Sequence, residues 1–248
     1  YEILRCLVGS EMCIRDRVED LYRPYRPKRR TRATIAKEKG LEPLAAVITL
    51  QQLKRPLREE AEQYLSEEKG VTSVEDAISG AKDIIAEAIS DEADYRSWIR
   101  KITMKKGKLI STAKDPEAES VYEMYYEFEE PLSKLAGHRI LALNRGEKEK
   151  ILTVKIEAPE EEILGYLEKQ TIHGKNISTE QALKEAVEDS YKRLIGPAIE
   201  REIRSDLTEK AEDGAIEVFG KNLHQLLMQP PICLLYTSPS PRDISGSR

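Results

Sequence analysis

The stretch at residues 18–46 reads VEDLYRPYRPKRRTRATIAKEKGLEPLAA, and it separates a proline-stiffened arm from the helices that follow. Each proline of the YRPYRP segment fixes its own φ and disfavours the α region for the residue before it. We therefore expect Arg23 and Arg26 to be extended, with no helix running through them. Helical composition resumes at residues 33–39, and Gly40 is placed as a C-terminal stop.

Positive charge is concentrated just after these prolines, and we call residues 22–32 the basic arm. Arginine and lysine neutralise phosphates, and Tyr22 and Tyr25 are suited to stack on bases if they face outward. The candidate nucleic-acid-binding residues are Arg23, Arg26, Lys28, Arg29, Arg30 and Arg32.

The same arm also fits a role within the chain. Arginine pairs well with carboxylates, and the sequence has 45 Asp and Glu against 40 Lys and Arg. The arm is therefore a nucleic-acid contact, a clasp that pins acidic helices of the same chain, or a contact for a protein partner. Any electrostatic attraction to nucleic acid is local, because the net charge of −5 does not suit a general nucleic-acid coat.

Motifs of catalysis and cofactor binding are missing from the sequence. It has neither a GxxxxGK(S/T) loop nor a GxGxxG turn, and no serine nucleophile is marked by a neighbouring base. His138, His173 and His224 are far apart, whereas a zinc site needs several converging ligands. We therefore predict a protein that is not an enzyme and that holds no metal and no cofactor.

The two ends of the chain carry signs of an origin outside the protein. LVGSEMCIRD, residues 7–16, back-translates as CTC GTG GGC TCG GAG ATG TGT ATA AGA GAC, and the reverse complement of this DNA encodes LLYTSPSPR, residues 234–242. Unrelated protein segments have no reason to be opposite strands of one DNA sequence, and this DNA resembles a sequencing-library adapter. We interpret residues 1–17 and 233–248 as translated artefact and exclude them from fold prediction.

Cysteine use and hydropathy indicate the compartment. Cys6, Cys13 and Cys233 all lie in the two ends, so the rest of the chain has no cysteine, which suits a reducing cytoplasm. No stretch approaches the ~20 apolar residues that a membrane span needs. We expect a soluble, cytoplasmic protein without membrane contact.

Apolar residues recur at helical spacing through most of the chain, which predicts a mainly α multi-helix array. Thr72 and Ser178 each precede a Glu or Gln by three residues, so both are predicted capping residues. Residues 117–129 are expected to be helical, because their aromatic residues keep helical register. A long last helix is expected to start at Pro197.

The clearest strand pattern lies at residues 151–157, the one place where a small β element is expected. A lone strand is not stable, so it needs a partner, either residues 109–112 or residues 140–143. We divide the chain into a helical region with the basic arm, residues 18–114, and a second helical region with the β element and the long C-terminal helix, residues 115–232.

Several segments resemble the bacterial Tex family of transcription accessory proteins. The most specific is EDLYRPYRPKRRTRATIAKEKGLEPLA at residues 19–45. Three later segments resemble the same family in the same order: EKGVTSVEDAISGAKDIIAE at 68–87, HRILALNRGEKE at 138–149 and AVEDSYKRLIGPAIEREIRSDL at 186–207. The resemblance covers roughly residues 18–232.

The resemblance implies a piece of a larger protein. Tex-family proteins combine an N-terminal helical region, which has a helix-turn-helix-like part, with an RNase-H-like domain, helical hairpin domains and a C-terminal S1 domain. The S1 domain carries most of the nucleic-acid binding, and the family is not an established enzyme. FGKNLHQLLMQPP, residues 219–231, is where the family enters its next domain, so we expect the RNase-H-like and S1 domains to be missing.

Two functions remain open at this point. The first is a fragment of a transcription accessory protein, a non-catalytic helical scaffold that contacts RNA or DNA through the basic arm and works with the transcription machinery. The alternative is a purely structural or protein-interaction scaffold that binds no nucleic acid itself.

Overall fold

The computed structural model describes residues 17–27, 29–51, 55–66, 71–115, 120–174 and 177–229. Apart from Arg17, the ends interpreted as translated artefact lie outside these ranges, and so do Lys28, Leu53 and Gly70. Within the described ranges the chain is mainly α-helical with one small sheet, which confirms the predicted fold class.

The helices and strands follow one another in a simple order. The helices are α1 (residues 17–22), α2 (Arg32–Glu38), α3 (Glu42–Leu50), α4 (Leu57–Glu62), α5 (Val74–Asp91), α6 (Ala93–Lys106), α7 (Gly137–Lys148), α8 (Glu160–Thr171), α9 (Ile177–Asp189) and α10 (Gly196–Leu227). The strands are β1 (Lys108–Ala113), β2 (Glu127–Pro131) and β3 (Leu152–Glu157).

The start of the basic arm differs from the prediction. A 3₁₀ turn at Arg23–Tyr25 follows α1 directly, so Arg23 is helical rather than extended. Pro24 lies in the first turn, where its missing N–H removes no hydrogen bond, and this explains why a proline is tolerated there. Arg26 is extended, with ψ of 132°, as predicted.

Helix α5 is the centre of the N-terminal half, where α2, α3 and α9 pack against it. Its N-cap is Ser73, whose hydroxyl accepts a hydrogen bond from the Asp76 N–H at 3.1 Å, and the predicted capping by Thr72 was wrong by one residue. A Cβ atom added at Gly80 would lie 2.5 Å from Leu41 Cδ1. The absence of a side chain at Gly80 therefore leaves room for Leu41 to pack directly against α5.

The sheet is antiparallel, with strand order β2-β1-β3. Strand β3 pairs with β1 through partners such as Leu109 with Ile156 and Ser111 with Val154. The first of the two predicted partner segments, residues 109–112, is therefore correct, and the second, residues 140–143, lies inside α7.

The aromatic segment at residues 117–129 was wrongly predicted to be a helix. Where it is described, it forms a 3₁₀ turn at Glu123–Tyr125 and then strand β2, which pairs with β1. Spacing by three residues fits a 3₁₀ turn as well as an α-helix, and pairing with a neighbouring strand decides between them.

Helices α9 and α10 are joined without a break. A π-helical segment at Ser190–Ile195 connects them, and the Gly196 N–H bonds the Tyr191 carbonyl. The expected start at Pro197 is therefore not a boundary of the helix, because the π segment continues directly into α10. Helix α9 is described from Ile177, and the predicted capping by Ser178 stays a prediction, because its side chain lies outside the described part of the structure.

The two halves of α10 have different surroundings. Its first half is buried through Ala198, Ile199, Ile203, Leu207 and Ala211, and it contacts α6 and α7. Residues 212–229 are exposed throughout, and Phe219 retains 67% of its accessible surface. The helix passes Gly214 without a break, as the sequence predicted.

A hydrophobic core cluster includes residues on both sides of residue 114, for example Ile84 of α5 and Val187 of α9. Strand β1 also pairs with strands from the C-terminal side. The division into regions 18–114 and 115–232 stays a prediction, and so does the helix-turn-helix-like part.

Gly146 of α7 gives a test of how this helix packs on the sheet. A methyl group there would lie 2.6 Å from Leu152 Cδ1 and 3.3 Å from Tyr122 Cδ1, and both neighbours are buried. Overpacking should destabilise the fold by ~1–3 kcal/mol, which exceeds the ~1 kcal/mol that alanine gains over glycine in helix propensity. We expect Gly146→Ala to lower the free energy of unfolding, measured by urea denaturation.

The matched control is Gly165→Ala in α8, where an added Cβ meets no atom within 4 Å. This variant should gain about 0.5–1 kcal/mol of stability from the same change in propensity. Equal stabilisation by the two variants would show that α7 does not approach β3 as described.

Candidate nucleic-acid interface

The segment that leads into the basic arm is held by a group of four charged residues, of which Asp20 and Arg96 are buried and Arg100 and Glu202 are partly buried. Asp20 of α1 is 4% exposed and accepts hydrogen bonds from Arg96 Nε at 2.8 Å and from Arg100 Nη1 at 3.1 Å. Glu202 of α10 accepts bonds from Arg96 Nη2 at 2.5 Å and Arg100 Nη2 at 2.7 Å. We call these four residues the root cluster.

The charges of the root cluster balance, because two arginines face two carboxylates. Burial disfavours the charged form of Arg100, but hydrogen bonds to Asp20 and Glu202 outweigh burial and raise its pKa above the usual value. Arg100 therefore stays charged. Each carboxylate bridges both guanidinium groups, an arrangement that fixes α1 relative to α6 and α10.

Arg23, the first candidate residue, is half-buried and pairs with a carboxylate of the protein. Its Nε atom lies 3.6 Å from Asp91 Oδ1 at the end of α5. Burial, and then repulsion by Arg96, lower its pKa from the usual value. The guanidinium of Arg23 therefore belongs to the attachment of the arm, so this residue is poorly placed to contact a phosphate.

The other described candidates are exposed. They are Arg26, Arg29, Arg30 and Arg32, and Lys28 lies outside the described residues. Arg30 Nη2 donates to Glu38 Oε2 at 2.7 Å, and Arg26 Nη1 lies 3.8 Å from Glu19 Oε1. All four side chains in these two pairs are more than half exposed, so each pair contributes only ~0–1 kcal/mol.

The two tyrosines of the arm also face outward. Tyr22 is 58% exposed and Tyr25 is 79% exposed, although aromatic side chains are more often buried. Arg26 lies next to Tyr25 and is exposed as well. The arm therefore presents aromatic rings and guanidinium groups on the surface, the combination found where proteins bind unpaired bases and the phosphate backbone.

A capping interaction ends the arm. The Thr31 hydroxyl accepts a hydrogen bond from the Thr34 N–H at 3.1 Å, which starts α2. Ala33 and Ala36 then bury one face of α2 against α5. The arm is therefore fixed at both ends, by the root cluster before it and by α2 after it.

Sequence analysis missed Asp20, Arg96, Arg100 and Glu202. A signal was available for Arg96, because it precedes the buried residues Ile99 and Thr103 by three and seven positions. It therefore lies on the buried stripe of α6, where a charged side chain needs a partner. No comparable signal marks Asp20, which lies 76 positions from Arg96.

Of the three interpretations of the arm that the sequence left open, the structure supports part of one, the clasp within the chain, and the other two stay predictions. A clasp within the chain exists, but Asp20 and Arg23 form it. The described basic residues after Arg23 contribute little to this clasp, since they are exposed.

Two further features, a metal-binding cluster and a membrane-spanning helix, are absent from the described residues. No group of three or more His, Cys, Asp or Glu side chains there could hold a metal ion. Among the same residues, no helix is both long and apolar enough to cross a membrane.

These features define a helical scaffold that carries an anchored basic arm. The chain matches the family model described as Tex central region-like over residues 53–219. The chain belongs to the Tex family.

Relatives of this chain occur in bacteria and in humans. It is 56% identical over 218 residues to the uncharacterized protein YdcI of Bacillus subtilis, covering 87% of this chain and 30% of YdcI. Identity to the transcriptional accessory protein Tex of Neisseria gonorrhoeae is 31%, with coverage of 89% and 30%. Identity to the human S1 RNA-binding domain-containing protein 1 is 28%, with coverage of 88% and 23%. The chain thus spans less than a third of the length of these relatives.

Removal of Asp20 should detach the arm. Asp20→Ala leaves Arg96 buried with only Glu202 as a partner, and breaking a buried pair in this way costs roughly 3–5 kcal/mol. We expect the free energy of unfolding to fall by this amount, and residues 17–27 to exchange amide protons faster. Urea denaturation and hydrogen exchange measure the two effects.

Glu38→Ala is the matched control, because it breaks the exposed pair with Arg30. This variant should lose at most about 1 kcal/mol. If Asp20→Ala were equally mild, the root cluster would not be what holds the arm.

Proposed function

We propose that this chain is a non-catalytic helical scaffold of a transcription accessory protein and that it contacts RNA or DNA through the basic arm. The phosphate contacts come from Arg26, Lys28, Arg29, Arg30 and Arg32. The transcription machinery is the setting of this role, and the cytoplasm is its compartment.

One observation carries the proposal: the arm is anchored at its root, but its described arginines after Arg23 are exposed. Asp20 is buried in the root cluster, whereas Arg26, Arg29 and Arg30 are exposed. An arm that is already positioned loses little conformational entropy on binding, so more of the electrostatic gain is available as affinity. The exposed pairs of Arg26 and Arg30 are weak enough to be replaced by phosphates.

The names of two relatives are consistent with a role in transcription and with a contact to RNA. One is called a transcriptional accessory protein, and another is called an S1 RNA-binding domain-containing protein. Both names refer to proteins more than three times as long as the matched segment. Because the names describe these longer proteins, the proposed nucleic-acid contact of this segment rests on the geometry of its arm and not on the names.

Removal of the arm's charges should change the salt dependence of binding. We expect the combined replacement of Lys28, Arg29, Arg30 and Arg32 by glutamine to remove about four phosphate contacts. The slope of log K against log[salt] should then decrease in magnitude by ~3–4. Titration of labelled RNA and of duplex DNA at several salt concentrations measures this slope.

The matched control replaces four exposed lysines outside the arm by glutamine. These are Lys101, Lys105, Lys134 and Lys148. The total charge changes equally in the two variants, so an effect of net charge alone would lower both slopes alike. Only a larger change in the arm variant supports the proposed interface, and its thermal melt should remain close to that of the wild type.

Tyr25 should contribute to the binding of unpaired bases. A base stacked on an aromatic ring is worth ~1–3 kcal/mol, and duplex DNA offers no free base faces. We expect Tyr25→Ala to weaken single-strand binding by about tenfold and duplex binding by less than twofold. Fluorescence anisotropy with the two labelled probes measures this difference, and equal losses would contradict a stacking role.

A second function has support from another part of the molecule. The exposed half of α10 carries apolar side chains that include Phe219, Leu226 and Leu227, each more than 60% exposed. Such a surface is typical of a segment that packs against another protein or domain. A structural or protein-interaction scaffold is therefore the alternative, and an unchanged salt slope in the arm variant would favour it.

A further inference from the structure

A cavity lies far along the chain from the basic arm, where the sheet meets α6 and the π segment. Its volume is about 410 Å³, within the range of ligand pockets in proteins. Residues from β1, β3, α6, α8, the π segment and α10 contribute to its wall. Four isoleucines supply much of the apolar surface: Ile99, Ile110, Ile156 and Ile199.

One wall residue carries a polar atom without a partner. Thr103 is 3% exposed, and its Oγ1 atom has no hydrogen-bond partner within the described part of the chain. Buried hydroxyl groups are nearly always hydrogen-bonded, because an unsatisfied one costs roughly 1–3 kcal/mol. The Oγ1 atom has less than 1 Å² of accessible surface, so it lies behind the cavity wall and does not open into the cavity.

Two further polar groups line the same cavity. Tyr191 belongs to the π segment, and such segments occur frequently at functional sites. Burial, together with the negative charges of Glu160 and Glu200, raises the pKa of Tyr191 to about 12, so its phenol stays protonated. Glu200 Oε1 accepts the Ile156 N–H at 2.9 Å, and a carboxylate has lone pairs for further donors.

Negative charge predominates along the cavity wall. Glu157, Glu160 and Glu200 line it together with Lys155 and Lys192. The ammonium of Lys192 is already paired with Glu188 at 2.5 Å. The cavity therefore favours a cation over an anion, and its isoleucines favour a cation with an apolar stem.

We propose that this cavity binds a primary alkylammonium group on an unbranched aliphatic chain. The ammonium has three N–H donors, and the Glu200 carboxylate and the Tyr191 phenol oxygen on the cavity wall are acceptors. The aliphatic stem lies along the isoleucines and removes their surface from water. Two sources share this chemistry: a free polyamine and the lysine side chain of another protein. This site is independent of the nucleic-acid contact, so either proposal can fail alone.

Calorimetric titration of the whole chain with two amines tests the site. The probes are spermidine and Nα-acetyl-lysine amide, whose side-chain ammonium is free. Adipate, a dianion of similar length, is the control ligand that should not bind. At physiological ionic strength we expect saturable binding of one amine per chain and none of adipate. Tighter binding of spermidine assigns the site to polyamines, and binding of the lysine amide alone assigns it to a protein side chain.

Glu200→Gln and Glu209→Gln form the matched pair of variants. The glutamine amide oxygen at position 200 still accepts the Ile156 N–H, so the edge of β3 is kept while the charge is lost. Glu209 is exposed on the same helix, away from the cavity. Glu200→Gln should weaken amine binding about tenfold or more, and Glu209→Gln by less than twofold.

Three results would overturn the proposal. They are the absence of saturable binding by either amine, equal weakening by the two glutamine variants, and adipate binding as tightly as the amines. Equal weakening would reveal general attraction of cations to an acidic chain. The amide resonance of Ile156 gives a second measurement, because it reports directly on the bond to Glu200.

Discussion

The arrangement of the N-terminal part depends on the bridged ion pairs between Asp20, Arg96, Arg100 and Glu202. Charges removed from water need partners of opposite sign in good geometry, and here each carboxylate bridges both arginines. Such a cluster tolerates little displacement, because a shift of one helix would leave a buried charge unpaired. After the buried Asp20, the two tyrosines of the arm and its described arginines beyond Arg23 lie at the surface.

Helix α10 connects this cluster to the sheet. Glu202 reaches the root cluster, whereas Glu200 accepts the Ile156 N–H and Arg204 donates to the Val154 carbonyl on the outer edge of β3. The exposed backbone groups of an edge strand would otherwise be open to pairing with another chain. Helix α10 thus provides hydrogen-bond partners for the edge of β3 and a carboxylate for the root cluster. It therefore contacts both the sheet and the attachment of the arm.

Local patterns predicted the parts of the fold that depend on neighbouring residues. The left-handed stop at Gly40 (φ 80°) and strand β3 were read from spacing alone. The strand at residues 127–131 was missed because its pairing with β1 is not encoded locally. For the candidate site, the sequence supplied the basic residues but not their orientation. That orientation depends on Asp20, whose partner Arg96 on α6 is 76 positions away along the chain.

The uneven burial of α10 has a mechanical consequence. The helix is a cantilever, clamped in the core as far as Ala211 and unsupported over residues 212–229. A load applied near its tip would bend the clamped section, where Glu202 and Arg204 make their contacts. Force on this lever would therefore reach the edge of the sheet and the root of the arm together.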